Sequence, residues 1–251
     1  MRKWREFEIK LETLTPFRIG GERPIPGTTD VDSPVVRVGD RIVVQSTSLK
    51  GAYRAELERY LIDTSYDKAN KKWKDQWTQP CIPADERSIS NDEKKLVDQG
   101  IYKYCCSYPG FDSSICPICY LLGARGLTGF ASVPFLNMEI EEIARLQFIG
   151  IDRVTGVSAK GRIGKFEVIP EGNTFKGNLY LLQEDDILGW KFGKSRSLSD
   201  SNGDKWLESG EWTEEKIIKD LIIDRLQNLQ FFGGFKSRGC GRVRITVTPV
   251  N

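Results

Sequence analysis

The chain contains no histidine, and that absence removes whole classes of chemistry. A Ser-His-Asp triad, a Cys-His nucleophile pair and any imidazole-ligated zinc or iron site are excluded. Proton transfer must fall to Asp, Glu, Lys, Tyr or Cys. A transition-metal site must be built from cysteine, with or without a carboxylate. Long apolar runs are missing too, and nothing approaches the roughly 18 consecutive apolar residues of a membrane helix. The start, Met-Arg-Lys-Trp-Arg-Glu, is basic with no apolar stretch behind it. No signal peptide and no membrane partner are therefore expected, and the location is expected to be cytoplasmic.

What is present is an ordinary globular composition, 39% hydrophobic and 29% charged over 251 residues, enough to bury a sizeable core. The net charge of +2 hides an uneven distribution. Arg153 to Lys165 carries Arg153, Lys160, Arg162 and Lys165 with no acid, and Gly233 to Arg244 carries Lys236, Arg238, Arg242 and Arg244 with none. Together they hold +8, so the remainder is acidic. Positive charge concentrated in this way is the footprint of a polyanion site. Two solvated basic turns are the plainer alternative.

Phe7, Ile9 and Leu11 alternate with charged residues as in a half-buried strand. Val35 to Val38 and Arg41 to Val44 predict a small hairpin turned at Gly39-Asp40. Ser46-Thr47-Ser48 then offers caps for a helix with Leu49, Ala52, Tyr53, Leu57, Tyr60 and Leu61 on its apolar face and Lys50, Glu56 and Glu58 on its wet face. Periodicity is lost over 62–130, which reads as an insertion. Strand signals return at Val133, Phe135, Met138 and Ile140 and at Leu146, Phe148 and Ile149. Phe166 to Ile169 and Phe175 to Leu182 flank a turn-rich link and predict another hairpin. Thr213 caps a second helix, with Ile218, Leu221, Ile222, Leu226 and Leu229 buried and Gly233-Gly234 at its end. Val243, Ile245 and Val247 form a last strand. This order predicts one α+β domain over 1–251, ferredoxin-like (RRM-like), with a cysteine-rich insertion at 62–130 and a β-hairpin at 152–175.

Five of the six cysteines fall in that insertion. Cys116-Pro117-Ile118-Cys119 has the spacing of a zinc knuckle. Cys81, Cys105, Cys116 and Cys119 would make a four-thiolate structural zinc site, with Cys106 the alternative to Cys105 and a disulfide the rival chemistry. Cys240, in the glycine-rich loop, reads as a small filler.

Four segments carry a family likeness: Ile19-Gly20-Gly21 with Asp32-Ser33-Pro34-Val35; Ser46-Thr47-Ser48-Leu49-Lys50-Gly51; Ile151-Asp152-Arg153-Val154-Thr155-Gly156; and Gly233-Gly234-Phe235-Lys236-Ser237-Arg238-Gly239-Cys240-Gly241-Arg242-Val243. In identity and order they resemble the RAMP superfamily of CRISPR-associated proteins, above all the repeated backbone subunit of type III (Csm/Cmr-type) effector complexes. The resemblance implies CRISPR guide RNA, target RNA, other RAMP subunits and further copies of the chain as partners. It implies guide contacts at Ser46, Ser48, Lys50 and Arg54 on the first helix and at Lys236, Ser237 and Arg238 in the glycine loop. The helix start and the glycine-rich backbone are both suited to phosphate. Arg153, Lys160 and Arg162 would lie on a "thumb" hairpin that crosses the guide–target duplex, with Val154, Val157 and Ile163 as its wedge. Asp32 matches the aspartate of target-cleaving members, which implies cleavage supported by a divalent cation such as magnesium or manganese. An Asx-turn is the structural alternative for Asp32, and Asp30 is a nearby substitute. Relatives often carry histidine where this chain has Arg18. A non-catalytic guide-binding paralogue and a stand-alone RNA-processing nuclease are the other functions the resemblance allows, the latter weakened by the missing histidine.

Overall fold

In the computed structural model, which describes residues 1–21, 31–109, 114–198 and 203–250 apart from the side chains of 159–162, the first alternating run becomes β1 (Arg2–Thr13). Phe7, Ile9 and Leu11 are fully buried, with charged neighbours on the opposite face. β2 (Arg37–Val38) and β3 (Arg41–Val44) form the expected hairpin, whose turn uses Gly39 at φ +59°. Then come α1 (Ser46–Ser65), β4 (Tyr66–Asp67), β5 (Lys72–Trp73), α2 (Asn91–Asp98) and α3 (Pro117–Leu122). Strands β6 (Ala131–Ser132), β7 (Leu136–Met138), β8 (Ala144–Ile151), β9 (Ser158–Val168), β10 (Thr174–Asp185) and β11 (Trp190–Lys191) follow. α4 (Glu214–Lys216) passes through a π-helical stretch, Ile217–Ile223, into α5 (Asp224–Gln227), and β12 (Val243–Pro249) completes the order.

The architecture is α+β with antiparallel sheets. The main sheet runs β12-β1-β10-β7-β3-β2, with β6 and β11 also on β10. Cross-strand pairs such as Phe7↔Leu179, Leu11↔Phe175 and Ile9↔Val247 set the register, because a one-residue slip would turn every core side chain to solvent. Leu49, Tyr53, Leu57 and Leu61 of α1 join Ile218, Leu221, Ile222 and Leu226 in one cluster with this sheet face. The Tyr53 hydroxyl donates to the Leu221 carbonyl at 2.7 Å, tying the two helices together. No helix among the described residues is long and apolar enough to cross a membrane.

Several local expectations are corrected. Residue 45, not the serines, caps α1, and it makes no side-chain cap bond. Glu56, expected on the wet face, is buried, where Arg59, Arg225 and Asn228 satisfy its carboxylate. Leu136 and Met138 face the core while Phe135 and Ile140 stay exposed. The predicted hairpin between 166 and 182 does not form: β9 pairs with β8, and β10 pairs with β1. The protruding hairpin is thus built from Ala144–Ile151 and Ser158–Val168 rather than 152–175. Gly233 does not end the second helix, which stops at Gln227. It sits at φ +85° where a Cβ would lie 2.5 Å from the Arg18 carbonyl oxygen, so close approach is its role.

Behind α3 lies a fully buried ion pair. Arg196 donates from Nε and Nη2 to both Asp204 carboxylate oxygens at 2.8 Å, and from Nη1 to the Thr128 carbonyl at 3.1 Å. Its guanidinium also lies over the rings of Tyr120, Phe130 and Trp190. Both side chains are 0% exposed, so removing one leaves an uncompensated buried charge. Asp204→Ala is expected to cost about 3–5 kcal/mol, read as a lower urea midpoint.

Candidate functional site

The segment Thr15 to Gly21 is stitched between two others. Phe17 exchanges backbone hydrogen bonds with Ile169 at 2.7 Å, at the end of β9, while Gly234 and Gly241 donate to the carbonyls of Arg18 and Pro16. On its other side, Gly21 donates to the Pro34 carbonyl and Val36 to that of Ile19. A Cβ on Gly21 would meet the Val35 carbonyl oxygen at 2.9 Å, which explains a glycine there. Asp32 and Ser33 then run beside the base of the protruding hairpin. The Asp32 amide donates to the Lys165 carbonyl at 3.0 Å, and the Lys165 amide donates to Asp32 Oδ2 at 2.8 Å. The Asp32 side chain is exposed. It makes no Asx-turn bond among the described residues; its partner lies 133 positions away.

An aromatic and cationic cluster binds the same pieces. Phe235, in the left-handed region at φ +59°, stacks edge-on against Phe148 of β8 and Phe166 of β9. Arg18 lies 4.5 Å from the Phe235 ring centre, and Arg238 lies 4.7 Å from that of Phe148. Such contacts contribute about 0.5–2 kcal/mol each. Arg18 also donates to the Ser33 hydroxyl, and burial pulls its pKa down from the ordinary guanidinium range. The hairpin leaves this base with Ile149, Ile151, Val154, Val157 and Ile163 exposed, Val154 at 94%. Asp152 accepts from the amides of Val154 and Thr155 at 2.9 Å and shapes the tip.

A second constellation lies between α1 and α3. The sulfurs of Cys81, Cys106, Cys116 and Cys119 are all within 4.8 Å of one another and all four residues are buried. Every cysteine is free. Cys81 and Cys119 sulfurs are 3.3 Å apart, and Cys116 and Cys81 sulfurs 4.0 Å, too far for an S–S bond. A tetrahedral ion with Zn–S of about 2.3 Å requires sulfurs about 3.8 Å apart, so the set suits a metal such as zinc. Burial opposes charge on Cys116, but the neighbouring sulfurs of Cys106, Cys119 and Cys81 hold its thiol well below the usual range. Cys106, not Cys105, is the fourth member. The Cys105 thiol turns to the Cys106 carbonyl at 3.2 Å instead.

A family model described as the RAMP superfamily matches residues 10–244. The chain belongs to the RAMP superfamily. No curated protein matches it. Membership suggests a CRISPR-associated RNA-binding function, with CRISPR RNA and other CRISPR-associated subunits as partners.

In this RAMP chain the sequence-predicted residues separate into three places. Asp32, Lys236, Ser237 and Arg238 fall on elements that meet at the hairpin base, the last three exposed on a short 3-10 turn. Arg153 is exposed at the hairpin tip; Lys160 and Arg162 lie on β9 with side chains outside the described set, and Asp30 lies outside the described residues. Ser46, Thr47 and Lys50 line a separate open groove of about 1120 Å³ together with Trp4, Tyr104 and Arg125. Ser48 is half-buried beside them. Arg54 departs furthest from expectation, because its guanidinium turns inward to the cysteines. Sequence reasoning also missed Phe148, Phe166 and Phe235 as one cluster. Their positions, near 148, 166 and 235, hold no local signal of contact.

Proposed function

We propose that this RAMP chain is a guide-RNA-binding backbone subunit of a type III CRISPR interference complex that cuts the paired target RNA. The frame would be ferredoxin-like (RRM-like), since the last, first, third and second core strands lie side by side as β12-β1-β10-β7. The segment 62–130 would be an insertion stapled by zinc, and the β8–β9 hairpin a thumb. Copies of the chain and other RAMP subunits would line up along the guide. The observation that carries this reading is the convergence of Asp32, the glycine loop and the hairpin base through long-range backbone hydrogen bonds. An exposed carboxylate is thereby held beside a cationic loop and a projecting apolar hairpin.

A divalent cation such as magnesium or manganese would supply charge to the scissile phosphate when bound. Such ions take one or two carboxylates and complete their shell with water and substrate phosphates, which fits the exposed carboxylate of Asp32. Asp32 would hold the ion or take a proton during attack within the RNA strand. A scaffold-only subunit is the second reading, favoured by the hydrogen bond that already gives Asp32 a structural task.

The binding half is tested by salt. Affinity for guide-length single-stranded RNA should fall steeply with salt, by a log–log slope of about −0.7 per phosphate contact. Lys236→Glu should flatten that slope by about one contact and weaken binding. It is the cleaner variant, because Arg238 also packs on Phe148 and Phe235. Fluorescence anisotropy over a salt series measures both, and salt-independent binding would overturn the proposal.

A further inference from the structure

Arg54 sits on the same stripe of α1 as Lys50, four residues on, yet it does not reach the groove that Lys50 lines. Nη2 donates to the Cys81 carbonyl at 2.7 Å and lies 3.5 Å from the Cys81 sulfur, while Nη1 is 4.0 Å from the Cys119 sulfur. Nε is held 2.9 Å from Glu58 on the next turn, and the side chain is only 14% exposed. Four thiolates around a dication carry a net charge of −2, and a buried net charge needs compensation. A planar guanidinium can serve a carbonyl, two sulfurs and a carboxylate at once, which an ammonium cannot.

We propose that Arg54 is a positioning residue of the four-thiolate centre, neutralising its charge and fastening α1 to the cysteine-bearing segment, and not a contact for RNA. This rests on the metal reading above. One consequence is mechanical. Cys119 lines the same groove as Ser46, Thr47 and Lys50, so the pin at Arg54 fixes the first turn of α1 relative to the groove wall.

The test uses the full chain loaded with zinc and titrated against a chromogenic chelator. Arg54→Met should weaken zinc binding about 10–100-fold, the usual effect of losing a partner that orients metal ligands, and Arg54→Lys should fall between. With cobalt in place of zinc, the sulfur-to-metal charge-transfer band of Arg54→Met should move to longer wavelength, because loss of the adjacent cation raises the sulfur electrons in energy. At saturating zinc, the salt slope for RNA should match wild type. Unchanged zinc affinity together with a slope reduced by about 0.7 would make Arg54 a phosphate contact and overturn the proposal. If Arg54→Met does not fold, an unshifted cobalt band in Arg54→Lys overturns it. A wild-type chain that takes up neither zinc nor cobalt fails the metal reading itself, which is visible without any variant.

Discussion

Asp32→Ala should reduce target-RNA cleavage by the assembled complex about 10²–10⁴-fold, the range for losing a positioned proton-transfer or ion-holding group. Folding should be little affected. Asp32 is exposed, and among the described residues its side chain accepts one hydrogen bond, from the Lys165 amide, worth at most about 1.5–3 kcal/mol for a charged acceptor and less where solvent screens it. The parallel backbone bond from the Asp32 amide to the Lys165 carbonyl survives the substitution. Guide binding should stay within about twofold of wild type, since no cation is removed. Asp32→Asn sharpens the result, because asparagine keeps an acceptor for Lys165 but loses the charge. Equal loss in both variants assigns the chemistry to the carboxylate charge. Loss in alanine alone assigns Asp32 to positioning of the loop. Unchanged cleavage in both makes the chain a scaffold and moves the cut to a sister subunit. Removal of divalent ions from the wild-type complex should reproduce the alanine defect. The complex is the necessary object, because only the paired target presents a phosphate to the loop.

How much of this could be read beforehand follows from how far each signal travels along the chain. The alternation of Phe7, Ile9 and Leu11 and of Val243, Ile245 and Val247 is local, and both strands formed as expected. So was the Thr213 cap, whose hydroxyl accepts from the Lys216 amide. Partner choice is not local. Turn residues between Ile169 and Phe175 mark a reversal, but nothing there says that β9 returns to β8 while β10 joins β1. The reciprocal Ser90–Glu93 cap that opens α2 is a local signal, but the helix behind it buries no residue and so has no apolar stripe to mark it. Glu56 looked solvated because its partners Arg225 and Asn228 lie about 170 residues away. Asp32 and Arg54 stand out by residue type, but the tether from Asp32 to Lys165 and the turn of the Arg54 guanidinium toward Cys81 and Cys119 are long-range and leave no local signal.

Stripping the metal should unfold the segment around the cysteines, and serine substitution should separate ligand from bystander. All six residues of α3 are buried, and Cys116 and Cys119 are the points at which this helix meets Cys81 and Cys106 from two separate loops. Without an ion, three chain segments lose their shared anchor, and four buried sulfurs face one another with only the Arg54 guanidinium at their edge. Structural zinc commonly contributes about 10–16 kcal/mol of apparent binding energy to the fold that holds it, so loss of one ligand is expected to destabilise by more than about 4 kcal/mol. Purified chain should carry about one zinc, lost with thiol-modifying reagents and with acid, since the ligating sulfurs must be deprotonated. Limited proteolysis should then cut between 66 and 130 while the main sheet persists. Cys116→Ser and Cys106→Ser should behave alike in zinc content and in urea midpoint. Cys105→Ser should retain zinc and shift the midpoint by less than about 0.5 kcal/mol equivalent, because its thiol stands outside the cluster. Loss of zinc from Cys105→Ser with retention in Cys106→Ser would reverse the assignment and require the 105–106 backbone to turn over. An S–S bond between Cys116 and Cys119 in the purified chain would end the metal reading altogether.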